Sequence, residues 1–138
     1  MKIHSDGIVT ALILEKDEPV HESLKKVAKD LELPGAFVSG IGALVDVSIG
    51  YFQAESKDYK ETKLDGLVEL LALNGSISWK EDETFVHLHA ILGLEDGSVM
   101  GGHLLGAKVG VTGEIFIHKV GQRLERATVK EFGISLIQ

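Results

Sequence analysis

Residues 85–109 read FVHLHAILGLEDGSVMGGHLLGAKV and hold half of the six histidines of the chain: His87, His89 and His103. Residues two apart on a strand point to the same face, roughly 6.5 Å apart along it. His87 and His89 are therefore placed to reach for one ion. The residues around them, Phe85, Val86, Leu88, Ile91 and Leu92, are apolar or β-branched, which predicts a strand. Leu94-Glu95-Asp96-Gly97-Ser98 follows, with glycine where a tight reversal needs a positive φ. A second apolar run, interrupted by Gly101-Gly102, completes a hairpin.

The length of the hairpin loop decides whether His103 joins the pair. A three-residue loop, Glu95-Asp96-Gly97, is a type I turn closed by Gly97 in the left-handed region. Leu94 then pairs with Ser98, and counting outward sets His89 opposite His103. Cross-strand neighbours have Cβ atoms about 4.5–5.5 Å apart, and His87 is the next residue on the same face. A two-residue loop, Asp96-Gly97, slips the register by one and turns His103 away. We prefer the longer loop, in part because it accounts for the histidines. Three imidazoles on one face fit a zinc-type site with an open fourth position. The competing reading is three ordinary polar residues on a half-exposed sheet. Gly101-Gly102 marks either a bulge or close backbone packing.

Bulk composition bounds the rest. A chain of 138 residues is read as one domain, residues 1–138, long enough to bury a core. Hydrophobic residues make up 44% and charged residues 25%, ordinary globular values. No apolar run reaches the ~18 residues of a membrane helix, so no membrane partner is expected. The opening MKIHSDG lacks the layout of a signal peptide. With no cysteine, a soft-metal site must use histidine. These features together predict a cytoplasmic protein. The net charge of −7 argues against strong non-specific DNA binding, which rests on Lys and Arg neutralising phosphates. Lys25-Lys26 is the one basic cluster read from the sequence.

Along the chain, residues 7–14 predict a buried strand. Lys16-Asp17-Glu18-Pro19 turns into a helix, and Val20, Leu24, Val27, Ala28 and Leu31 form its apolar face. His21 is read as a surface residue. Leu33-Pro34-Gly35 stops the helix. Residues 36–52 form one long strand or two, bent at Gly40 and Gly42, and they are no GxGxxG motif. Residues 53–63 are a loop or an edge strand. Residues 66–79 are largely apolar, with Glu69 at an edge or paired, and Asn74-Gly75 reads as a turn or a bulge. Lys80–Thr84 is a solvated turn. Residues 107–118 predict a further strand that ends at an exposed His118 and carries Glu114, which could approach the histidines. Residues 124–136 read as a last charged strand or short helix. No GxSxG elbow supports serine catalysis. One helix and about seven short strands predict an α+β domain with a curved, mostly antiparallel sheet. The high apolar fraction suggests surface buried between subunits.

The helix followed by AFVSGIGALVDVSIGYF, then GLVELLALNGSIS, then HLHAILGLEDGSVMGGHL, resembles the PPC domain, the plant and prokaryote conserved domain. The resemblance covers about residues 7–117, and the HxH…GGH spacing is quite specific. Plant members carry AT-hooks. This sequence has no Arg-Gly-Arg-Pro, so it looks like the stand-alone prokaryotic form and the nuclear role does not carry over. Family members often enter the helix with Gly-Glu, where this chain has Glu18-Pro19. The resemblance implies a sheet wrapped around one main helix, a homotrimer, and a metal, zinc by preference, held by His87, His89 and His103. It leaves three functions open. One is a metal site that binds a small-molecule ligand or hydrolyses it, the latter requiring an acid such as Glu69 or Glu114 nearby. Another is a DNA-associated or protein-interaction module. The last is a structural trimer.

Overall fold

Gly97 and the turn before it set the register of the hairpin that carries the histidines. In the computed structural model, which describes residues 1–138, Gly97 has φ +82°. Its N–H donates to the Leu94 carbonyl at 2.9 Å, and the Leu94 N–H donates to the Ser98 carbonyl at 2.9 Å. The loop is the three-residue form, and the strands it joins pair His89 with His103.

Nine strands and one helix follow from such local choices. They are β1 (Lys2–Ser5), β2 (Val9–Glu15), α1 (Val20–Asp30), β3 (Ala36–Gln53), β4 (Asp58–Leu64), β5 (Val68–Lys80), β6 (Glu83–Gly93), β7 (Val99–Lys119), β8 (Arg126–Val129) and β9 (Ile134–Ile137). The main sheet runs β1-β2-β7-β6-β5-β3-β4, with all named pairings antiparallel, and β8-β9 is a separate hairpin. β7 also pairs with β3 along most of their lengths. The ladder β7-β6-β5-β3 thus returns to β7 and closes on itself. The ladder shifts register between Gly40 and Gly42 on β3, between Leu70 and Ala72 on β5, and at three points between Gly42 and Ile49 where β3 meets β7.

Several expectations are corrected. Residues 99–119 form one 21-residue strand rather than a hairpin arm and a later strand. It pairs with β3 from Lys119 to His103, and the ladder shifts register around Gly106 and Gly110 without ending the strand. Asn74-Gly75 is neither turn nor bulge; both pair in register with His89 and Leu88. Residues 124–136 form the β8-β9 hairpin, neither a single strand nor a helix. The helix is short, 11 residues, and Leu31 lies at its C-cap, exposed.

The helix buries Val20, Leu24, Val27 and Ala28 against the sheet. These join a cluster of 25 buried apolar residues that includes Leu12 and Leu14 of β2, Val86, Leu88, Ala90 and Leu92 of β6, and Leu104 and Val109 of β7. Period-2 alternation sends the opposite set outward: Phe85, His87, His89 and Ile91 on β6. The core fixes β6 in register, and the histidines are what its other face carries.

Candidate metal centre

The face that carries the histidines is assembled from three strands. β6 supplies His87 and His89, and β7 supplies His103 directly across from His89. On the other side, β5 places Ser76 opposite His87 and Asn74 opposite His89. Gly75, between them, allows the close approach: a Cβ there would lie 2.0 Å from the His87 carbonyl oxygen. β3 flanks β7, with Gly50 paired to His103.

The three rings converge. The His87 and His89 Nε2 atoms are 3.2 Å apart. Ring centroids are 4.9 Å apart for His87–His103 and 5.4 Å for His89–His103. One ligating nitrogen from each ring lies within 4.8 Å of the others. Tetrahedral zinc with bonds of 2.0–2.1 Å separates its nitrogens by about 3.3 Å. The His87–His89 pair already has that spacing, and small ring rotations bring in His103. The His103 Nδ1 is buried and has no hydrogen-bond partner, so the ring has no competing bond on that nitrogen. The donor set, three imidazoles and no thiolate, suits zinc or another borderline divalent ion. Bound there, a metal with an open position would supply Lewis acidity or a more acidic water.

Electrostatics favour neutral, ligating imidazoles. Burial, followed by the charges of His87, His89, His21 and Arg126, holds His103 down at about 4. Burial also lowers His87, helped by Arg126 and His89. Metal binding requires deprotonated ligands, and both rings are neutral at pH 7 without the metal's help.

Residues not singled out from the sequence complete the surroundings. Arg126 of β8 is buried over this face. Its Nε donates to Ser78 Oγ at 2.7 Å, one Nη to the Ser135 carbonyl at 2.7 Å and the other to Ser76 Oγ at 3.2 Å. Its guanidinium also lies 4.6 Å from the Phe85 ring centre. Tyr59 of β4 packs on His103, with ring centroids 4.7 Å apart. His21 is half-buried rather than a surface residue, and burial pushes it below the usual histidine range. It lies at the start of α1, where the helix covers β7.

The two acids considered from the sequence are elsewhere. Glu69 pairs with Gly93 and Ala43, and Glu114 with Ile13 and Ile41. Both are exposed and line a different hollow of about 450 Å³, together with Ile41, Leu71 and Val111. His118 is exposed at the end of β7 and stacks obliquely on Phe37. The basic residues of α1 are paired: Lys25 with Glu22, Lys26 with Asp30 and Lys29 with Glu83. No helix is long and apolar enough to cross a membrane.

The model of the Plants and Prokaryotes Conserved (PCC) domain matches residues 1–121. Among solved structures, a plant- and prokaryote-conserved protein from Pyrococcus horikoshii is 34% identical with a TM-score of 0.88, covering 99% of this chain and 93% of its own. A metal-containing protein from Archaeoglobus fulgidus is 29% identical with a TM-score of 0.86, covering 100% and 99%. A candidate DNA-binding protein from Ralstonia eutropha is 27% identical with a TM-score of 0.91, covering 99% and 95%. No curated protein matches the chain.

Proposed function

The chain belongs to the Plants and Prokaryotes Conserved domain family, and from that membership we propose that it is a homotrimeric protein holding a divalent metal, zinc by preference, through His87, His89 and His103. The observation that carries this is the convergence of three imidazoles, from two strands, on one face. The solved relative described as metal-containing supports it. The metal's open position serves to bind a small molecule. Hydrolysis would require a general base, and no carboxylate lines the cavity beside His87 and His103, which favours binding over catalysis.

Trimer formation draws support from the outward face of the sheet. Ile41, Leu71, Ile91, Val111 and Phe116 are all more than 40% exposed there, an apolar surface that a second copy would cover. Closure of the β7-β6-β5-β3 ladder supports a sheet curved around the helix as a single PPC-like domain. A cytoplasmic setting is part of the proposal and rests on composition. Direct DNA binding is disfavoured. The net charge is −7, and the lysines of α1 are each matched by a carboxylate.

Titration of the metal-free protein with Co²⁺ tests the site. We expect the intense visible bands of tetrahedral cobalt, saturating at about one ion per chain and absent in His103→Ala. Identical spectra for wild type and variant would refute the assignment. Sedimentation equilibrium tests assembly, with an expected mass three times the 14.9 kDa of the chain.

A further inference from the structure

Arg126 is 8% exposed and forms no ion pair with any carboxylate. Buried charges are ordinarily paired, and this one is met only by two serine hydroxyls, one carbonyl and the Phe85 ring. A guanidinium carries five N–H donors. Three are used, and two remain. The arginine lines a cavity of about 180 Å³ together with Tyr59, Phe85, His87, His103 and Leu136. No acid lines that cavity. A divalent metal on the neutral imidazoles would bring its formal charge to +3, counting Arg126, with nothing from the chain to balance it.

We propose that this cavity binds a small organic carboxylate: its carboxyl group lies against Arg126, on the metal side, and its apolar body against Phe85, Ile134 and Leu136. The metal half of this statement rests on the reading of the histidines given above; the Arg126 half does not. Three features select a carboxylate over an inorganic oxyanion. The two unused donors match the two oxygens of a carboxylate. Phosphate sites usually gather more donors, often at a helix N-terminus, and none lines this cavity. Half of the lining residues are hydrophobic, which suits a carbon chain. The volume equals that of about six waters at about 30 Å³ each, which sets the scale at a short-chain acid. Residues 122–138, outside the family model's match, supply Arg126, Ile134 and Leu136, so ligand choice is written in the β8-β9 hairpin rather than in the HxH…GGH signature.

Calorimetry with butyrate and with its uncharged isostere butyramide tests this, on wild type with and without zinc, with zinc content measured on the same samples. Butyrate is expected to bind at least tenfold more tightly than butyramide. Arg126→Gln is expected to keep its zinc and lose butyrate affinity at least tenfold. The butyrate–butyramide comparison needs no variant, so it decides even if Arg126→Gln fails to fold. Equal affinity for the two probes, binding of neither, or an unchanged affinity in a folded Arg126→Gln overturns the proposal. Inorganic phosphate bound more tightly than butyrate overturns the choice of an organic acid. Zinc uptake without butyrate binding leaves the metal site standing and removes the carboxylate pocket. Arg126-dependent butyrate binding without zinc uptake does the reverse.

Discussion

Three glycine-to-alanine substitutions separate crowding from backbone strain on the strands that build the site. At Gly75 the backbone is not in the left-handed region, but an added Cβ meets the His87 carbonyl oxygen at 2.0 Å and Leu88 Cδ2 at 2.9 Å. Ordinary contact needs about 3.4 Å or more, so β5 and β6 must part by more than an ångström at Gly75–Leu88. The obstacle is backbone, which cannot swing aside. Overpacking of this kind costs about 1–3 kcal/mol. It also displaces the peptide that orients His87. At Gly97 a Cβ meets nothing, yet φ is +82°, and alanine there costs about 1 kcal/mol from conformation alone. At Gly106 a Cβ meets nothing and φ is not positive. Alanine there should be neutral or stabilise by up to about 1 kcal/mol, through the unfolded chain. Urea unfolding of the metal-free proteins gives the three values, and cobalt titration gives the metal affinity. We expect Gly75→Ala to lose both stability and affinity, Gly97→Ala to lose stability, and Gly106→Ala to lose neither. A Gly75→Ala protein with wild-type midpoint and wild-type cobalt affinity would refute the account of how β5 positions His87.

Other perturbations give distinct readouts. Leu88 is fully buried between His87 and His89, so Leu88→Ala should cost about 3 kcal/mol in urea unfolding. His103 sits at about 4 in the folded chain, against about 6.5 unfolded. A depressed histidine favours the folded state while neutral, so that stability is fully present above about pH 6.5 and fades as the pH falls towards 4. Discounted for partial exposure, it amounts to roughly 1–2 kcal/mol, and His103→Gln should flatten the pH dependence of metal-free unfolding over that window. Ile41→Glu with Val111→Glu places charge on the exposed apolar face and should convert the proposed trimer to monomer in sedimentation without changing the far-ultraviolet circular dichroism.

The hairpin turn was the most legible feature. Gly97 marks the reversal, but the sequence allows a loop of two or three residues and the histidines themselves weigh in the choice of three; with three, counting sets His89 opposite His103, as the structure has it. The helix was legible from its apolar spacing, except at Leu31, where the C-cap backbone leaves the helical path. Ser76 was equally accessible in principle. Glu81 and Asp82 both take positive φ, and Lys80 pairs with Glu83; that two-residue turn sets Ser76 opposite His87. Glu81 carries no mark of a left-handed turn, and Asp82 without a following glycine carries only a weak one, where Asn-Gly or Asp-Gly is the usual sign. Asn74-Gly75 carried the opposite error: a turn-like dipeptide used for close strand approach. Arg126 was illegible, since nothing local distinguishes it from Arg123, and only tertiary packing of the β8-β9 hairpin buries one and leaves the other exposed. Glu69 and Glu114 were placed on strands, but strand parity alone did not show that they meet at a different hollow.

The most direct test of the metal site is elemental analysis of protein purified without added metal and without a histidine tag, beside a His87→Ala/His89→Ala double variant. The account predicts about one zinc, or another divalent ion, per chain in the wild type and none in the variant. Metal absent from both, with no uptake on titration with zinc, would contradict it.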